Sequence, residues 1–259
     1  MNLEKTQNFI VNWIRDYSNK HSIKSLVVGI SGGVDSALTS KLCALTGINT
    51  TVVLMPIHQK KIEIDNAINH VKFLKSKHVN IESIYLDLSN LFESFKSLFD
   101  SKLKTNLSLA NSRARLRMST LYQISGAKNG IVVGTGNKVE DFGIGFYTKY
   151  GDGGVDISPI ADLNKSEVRK LAQFSGINKN ILNYPPTDGL WDDGRNDENQ
   201  IGATYLELEW AMNFDGDKNK ITERQKKVIK IYKSLNKVNK HKMIPIPVCQ
   251  IPKKIKSSL

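Results

Sequence analysis

Cysteine is scarce: 259 residues carry only Cys43 and Cys249, far apart and outside any CxxC pair. A disulfide framework, a zinc knuckle and a thioredoxin-like redox motif are thereby unsupported, and two free thiols suit a reducing cytoplasm. Long apolar runs are missing as well. None approaches the ~20 residues of a membrane-spanning helix, so no membrane role is expected. The first seven residues, MNLEKTQ, hold an acid and two amides where a secretory signal needs an apolar core, so no targeting segment is expected. Internal repeats and clean linkers are also lacking. Residues 1–259 are therefore expected to form a single domain, long enough for a sizeable buried core.

What the chain does have is a skewed charge. Its formal net charge is +12, yet from Asp217 onward thirteen Lys or Arg face two acids, so the excess is almost wholly C-terminal. A basic protein invites a nucleic-acid reading. Confined to a C-terminal helical pattern, the excess reads instead as a solvated face, with a few lysines left over for a phosphate-bearing ligand. No nucleic-acid partner is expected.

Ile10, Trp13, Ile14 and Tyr17 recur at helical spacing in the first element. Short apolar runs at 26–30, 51–55, 83–86 and 131–133 read as strands. Helical patterns at 37–45, 62–75 and 107–124 lie between them, and Gly47 is placed to close the first. Strand–helix alternation with near-continuous apolar strands predicts an α/β fold, a doubly wound, mostly parallel sheet with helices on both faces. In such sheets ligands bind beyond the carboxyl ends of the strands, where the two glycine-rich turns after Ile30 and Val133 lie. Residues 134–154 read as a long functional loop. NKSE at 164–167 is a capping box opening a helix, YPPTDGLWDDGR at 184–195 is irregular, and two more helices are expected at 201–212 and 222–238. The tail, with Pro245, Pro247 and Pro252, is extended.

The turn after Ile30 reads SGGVDS, residues 31–36. A turn that ends a strand and opens a helix offers several backbone N–H groups and the positive end of the helix dipole. Gly32 and Gly33 lack Cβ atoms, so the main chain is expected to reach positive φ and approach an oxyanion closely. Ser31 and Ser36 add hydroxyl donors. The loop is not a Walker A motif, because no Lys occupies it. Asp35 would repel bare phosphate and makes sense with a Mg2+ between them.

SGGVDS resembles the pyrophosphate-binding loop of the ATP pyrophosphatases, which cleave ATP to AMP and pyrophosphate while adenylating a substrate oxygen. Further motifs are similar to those of one branch, the NAD synthetase family: GTGNKVE (134–140), FYTKYGDGGVD (146–156), SPIADLNK (158–165), Pro186-Thr187, NDENQIGATY (196–205) and His241-Lys242. The likeness runs in order over about 26–247. It implies an adenine nucleotide α-hydrolase-like fold, an ammonia-dependent carbon–nitrogen ligase and a cytoplasmic homodimer.

The resemblance also implies roles. Gly29, Ile30, Ser31, Gly32, Gly33, Val34, Asp35 and Ser36 would hold ATP phosphates, with Thr135, Lys165 and Thr187 also at ATP. Asp35 and Glu140 would bind Mg2+. Arg115, Lys149, Asp156, His241 and Lys242 would contact deamido-NAD. Arg117 is the rival of Arg115, since two residues apart on a helix they point away from each other. Between Glu140 and Lys149 the chain is one residue longer than some members of that family. The implied reaction attacks the ATP α-phosphorus with the nicotinate carboxylate, then the acyl-adenylate with ammonia. Asp152 is a candidate to receive ammonium or its proton, or else a turn-stabilising acid. Glutamine-using relatives carry an added amidase domain with a Cys nucleophile, for which no room remains, so free ammonia is the expected donor.

Two rivals stand beside this reading. A tRNA-modifying ATP pyrophosphatase would suit the basic C-terminus, but paired cysteines are missing. A basic nucleic-acid module leaves the 135–165 signature unexplained. For the homodimer, 107–124 joins Leu107, Leu109, Leu116, Leu121 and Ile124 to Arg113, Arg115 and Arg117, a pattern suited to an interface beside an anionic ligand.

Overall fold

The structure, a computed structural model, describes residues 1–187 and 196–256; most of the irregular stretch expected at 184–195 lies outside them. The four apolar runs form strands β1 (Ser25–Gly29), β2 (Asn49–Leu54), β3 (Ile81–Tyr85) and β4 (Gly130–Val132), within about two residues of expectation. They pair in the order β3-β2-β1-β4, with all three pairings parallel. The register sets Val28 beside Val52 and Val27 beside Val132.

The helices are α1 (Leu3–Lys20), α2 (Val34–Leu45), α3 (Lys61–Lys77), α4 (Ser89–Ser97), α5 (Asn106–Ala127), α6 (Lys165–Phe174), α7 (Lys179–Asn183), α8 (Asp197–Ile201), α9 (Tyr205–Asn213), α10 (Glu223–Met243) and α11 (Lys253–Lys256). Alternate strand residues feed two cores, as the pleat demands. Leu26, Val28, Val52 and Leu54 pack with α1, α2, α3 and α6, while Val27, Val53 and Val132 pack with α4 and α5. The doubly wound expectation therefore holds, and the carboxyl ends of β1 and β4 open between these layers.

A third core joins Val139 and Ile144 to Ile201, Tyr205 and Leu208 and to Val228 and Ile229 of α10. It carries the loop after β4 as a π-helical turn, Val139–Ile144. Such a turn holds an extra residue relative to an α-turn. The helix expected at 201–212 breaks at Gly202, which takes φ +81, and restarts behind a Thr204–Glu207 capping box. α4 had no counterpart in the sequence reading, because only Phe92 of its nine residues is buried.

The apolar face of α5 turns mostly inward. Leu121 is buried, and Leu109, Leu116 and Ile124 pack partly on the chain's own sheet. Leu107 remains exposed, with Leu91, Leu98, Phe99 and Leu103 nearby in sequence.

Candidate active site

The site begins where β1 ends. The chain turns through Gly32, whose φ of +91 favours glycine, and where an added Cβ would lie 2.4 Å from the Glu63 carbonyl oxygen. Gly33 does not share this need: at φ −90 it is the N-cap of α2 and leaves the helix without a side-chain cap. The first-turn N–H groups of α2 thus remain available to an external oxyanion. The Ser36 hydroxyl donates to Gly33 O at 3.1 Å and lies 3.0 Å from the Ser31 hydroxyl, bracing the turn.

Around this cradle is a cavity of about 230 Å³. Gly29, Ile30, Ser31, Gly33, Val34, Asp35 and Ser36 line it, together with Thr135, Glu140, Asp152, Lys165 and Thr187. Three separate stretches of sequence therefore converge at the carboxyl edge of the sheet.

The electrostatic centre is a chain of buried polar groups. Lys165 at the start of α6 is 3% exposed, and its ammonium donates to Asp35 Oδ2 at 2.5 Å and Glu140 Oε1 at 2.9 Å. Burial works against that charge, but the two carboxylates outweigh it and hold Lys165 protonated, well above the ordinary lysine value. Burial also tends to raise Glu140, yet Lys165 and the Tyr205 hydroxyl, which donates at 2.5 Å, keep it below its usual range. Asp35 goes the other way: burial lifts it in spite of Lys165, and the Glu140 charge adds to the rise. One ammonium serves two carboxylates, so with both acids ionised the trio carries one negative charge.

That surplus tests whether Mg2+ suits the residues present. Two hard, half-buried carboxylates short of positive charge match its preference for oxygen ligands. Among the described residues no group of three or more His, Cys, Asp or Glu forms a metal cage. Two carboxylates leave most of a Mg2+ coordination shell to phosphate oxygens and waters, which is how Mg2+ is usually bound. The residues fit.

Two supporting residues escaped the sequence reading. Asn137, fully buried, donates to Asp35 Oδ1 at 3.2 Å, and its amide oxygen accepts the N–H groups of Val139 and Glu140 at 3.1 and 3.2 Å. It ties both acids to one frame. Tyr205, also buried, lies between Glu140 and Asp197, with its oxygen 3.1 Å from Asp197 Oδ2. Both lie within motifs already noted, but nothing local marks their side chains as turned inward. Asp141 is pushed up to about 8 by burial, then by the charges of Glu140, Asp152 and Asp35.

The residues expected at the second substrate divide. Lys149 and Lys242 border an adjoining cavity of about 580 Å³ with Tyr122, Tyr147 and Tyr150, and Met118 and Val155 wall both cavities. Arg117, not Arg115, lines the first cavity; Arg115 donates to Lys149 O at 3.3 Å. Asp156 lines neither. Its carboxylate accepts from Val132 N at 2.7 Å and from the Tyr122 hydroxyl at 3.0 Å, fastening β4 to the loop behind it. His241 is exposed, and its Nδ1 donates to Val238 O at 3.0 Å within its own helix. Lys242 donates to Gly145 O and Tyr147 O, both at 2.8 Å. Asp152 lines the first cavity while its Oδ1 accepts Thr148 N at 3.0 Å, so it braces its turn as well. Cys43 is buried, its thiol pushed up to about 12 by burial, and is unsuited to act as a nucleophile.

The profile of the NAD synthase family matches residues 6–245. An NH(3)-dependent NAD(+) synthetase of Alkaliphilus metalliredigens is 34% identical over 249 residues, covering 93% of this chain and 96% of that one. Among solved structures, an NMN synthetase from Francisella tularensis superposes with a TM-score of 0.86 at 29% identity, covering 97% of this chain and 100% of the other. An NH3-dependent NAD synthetase from Campylobacter jejuni gives 0.79 at 25% identity, covering 96% and 100%.

Proposed function

The chain belongs to the NAD synthase family, and from that premise we propose that its two adjoining cavities bind ATP and the nicotinate substrate of an amidation. The enzyme makes NAD from deamido-NAD, ATP and ammonia, releasing AMP and pyrophosphate. The observation that carries the site reading is the junction of Asp35, Glu140 and Lys165 beside an uncapped helix start.

A free carboxylate is a poor acyl donor because its leaving group would be oxide; adenylation replaces oxide with AMP. The α2 N–H groups and the hydroxyls of Ser31 and Ser36 would hold the departing pyrophosphate. Lys165 would neutralise phosphate charge, and Thr135 and Thr187 would orient the nucleotide. Asp35 and Glu140 would hold Mg2+. When bound, this ion polarises phosphate oxygens and offsets the charge that develops on them. The nicotinate end would reach the first cavity past Met118 and Val155, with Lys149, Lys242 and Arg117 as the cations nearest its phosphates and carboxylate. Asp152 would receive ammonium or its proton.

We further take residues 1–259 as one synthetase domain acting as a homodimer in the cytoplasm. Leu91, Leu98, Leu103 and Leu107, exposed and close together in sequence, support self-association. Among the described residues no helix is long and apolar enough to cross a membrane.

The likeness to the Francisella NMN synthetase favours a second reading, in which the preferred acceptor is the deamidated mononucleotide. The reacting carboxylate is the same, so the first cavity serves both. One experiment tests both readings: purified protein with ATP, Mg2+ and ammonium, given deamido-NAD or nicotinate mononucleotide, with NAD or NMN quantified. A higher kcat/KM for deamido-NAD supports the first reading and the reverse supports the second. Absence of both products defeats the proposal. A parallel arm with glutamine in place of ammonium should give no product if free ammonia is the donor.

A further inference from the structure

The π-helical turn ends abruptly. Gly145 takes φ 65 and ψ 39, and the N–H groups of Gly145 and Phe146 both return to Glu140 O. The carbonyls of Gly143, Ile144 and Gly145 then need donors from elsewhere. α10 supplies them in sequence. Asn236 Nδ2 donates to Gly143 O at 2.7 Å, Asn239 Nδ2 to Ile144 O at 2.8 Å, and Lys242 Nζ to Gly145 O and Tyr147 O, both at 2.8 Å. Spacings of three residues put these donors along one face of the helix. Lys149 Nζ returns a bond to His241 O at 3.0 Å. The two elements lie so close that a Cβ on Gly145 would come 2.4 Å from the Asn239 Cβ.

We propose that Asn236, Asn239 and Lys242 are positioning residues, a polar clamp by which α10 holds the turn in its π register and so sets Phe146 and Asp152 against Glu140. Glu140 is anchored independently, by Asn137, Lys165 and Tyr205. The arm beyond it is tied to α5 only from Thr148 onward, where Thr148 Oγ1 donates to Asn111 Oδ1 at 2.8 Å and Arg115 donates to Lys149 O; between them, the carbonyls of 143–145 and Tyr147 take their side-chain donors from α10. Relaxing a π-turn by one residue toward an α-turn turns the residues directly after it by about 100°. Phe146, and through the Thr148 turn Asp152, which both line the cavity, would then shift against it while the turn between β1 and α2 stayed in place. The clamp thus acts on the amidation half of the reaction and spares nucleotide binding. The proposal rests on reading the cavity as the amidation site.

The test compares Asn239→Asp, nearly isosteric but with a donor replaced by an acceptor, and Asn236→Leu with the native enzyme and with Lys240→Leu on the exposed face of α10. Amide hydrogen exchange over 143–149, without substrates, reads the clamp directly. Steady-state kinetics reads its consequence. Both clamp variants should exchange faster over 143–149. Loss of one part-buried hydrogen bond should lower kcat/KM for ammonium by about tenfold, with the KM for ATP within about twofold of native. Lys240→Leu should match the native enzyme in both measurements. Unchanged exchange would overturn the clamp. An equal rise in the ATP and ammonium constants, or failure of both clamp variants to fold, would make these residues structural supports and overturn the positioning role. If the native enzyme itself forms no amide, the functional reading fails, and hydrogen exchange still decides the clamp.

Discussion

Replacing Tyr205 with Phe removes one oxygen from the buried network and almost nothing else. The ring stays in the third core beside Val139, Ile144 and Leu208, and still lies under the Lys165 ammonium, 4.8 Å from the ring centroid. What disappears is the hydroxyl that donates to Glu140 Oε1 at 2.5 Å and lies 3.1 Å from Asp197. A hydrogen bond to a charged group is worth about 1.5–3 kcal/mol. For a chain of this size that corresponds to a fall in Tm of roughly 3–6 °C. The sign of the pH dependence follows from Glu140, whose folded carboxyl is held below its unfolded value. Its contribution is full above the unfolded pKa and is lost as pH falls through the folded one. The difference between Tyr205→Phe and native should therefore be widest near neutrality and shrink in acid. Urea unfolding of both single variants and the double variant with Glu140→Gln isolates the pairwise term. The Mg2+ concentration for half-maximal activity should also rise, because Glu140 loses a constraint. Two results would refute this account: a Tyr205→Phe penalty below about 0.5 kcal/mol, or additive effects in the cycle within the usual error of about 0.5 kcal/mol.

Asp35→Asn should leave the fold intact, because the native carboxyl is raised by burial and its charge opposes folding at neutral pH. Pyrophosphate release should fall by at least about a hundredfold; near-native turnover at saturating Mg2+ would exclude Asp35 as a metal ligand. His70 is buried neutral, its pKa lowered to about 4 by burial and then by Lys41. The stability it confers is present above about pH 6.5 and is lost as pH falls toward 4, on the order of 3 kcal/mol. His70→Gln should flatten the denaturant midpoint across that window, and a parallel pH profile would count against it. Leu103→Glu should shift sedimentation from twice 29.0 kDa toward the monomer and weaken binding of the nicotinate substrate more than of ATP, since the phosphate cradle lies within one chain. A native protein that sediments as an active monomer would end the dimer proposal.

The carboxyl-edge location of the site was legible because two independent local signals agree. Apolar runs near Val27 and Val132 announce parallel strands, and the glycine-rich turns that follow them must lie at the same end of the sheet. The Asn164–Glu167 capping box likewise marked the start of α6, and hence where Lys165 enters. Less legible was the use of each side chain. Asp156 and Lys149 lie in one motif, yet Asp156 spends its carboxylate on Val132 and Tyr122 while Lys149 faces the second cavity. Arg115 and Arg117 are alike in sequence context, and only the rotation of α5 against β1 puts Arg117 into the cavity wall. The inward packing of Leu116 was hidden for the same reason, because a helix with apolar residues on more than one side does not declare which side meets the sheet.

By itself the amino-acid sequence determined the strand–helix alternation and the glycine-rich turn that opens α2, because these depend on neighbours a few residues apart: apolar period and backbone freedom at Gly32. Tertiary structure alone decided how those parts act together. Lys165 meets Asp35 across 130 positions in sequence, Tyr205 meets Glu140 across 65, and Asn239 caps Ile144 across 95. Such contacts are selected by the burial of whole helices against one another. A buried charge or carbonyl must then take whichever partner that packing brings within reach.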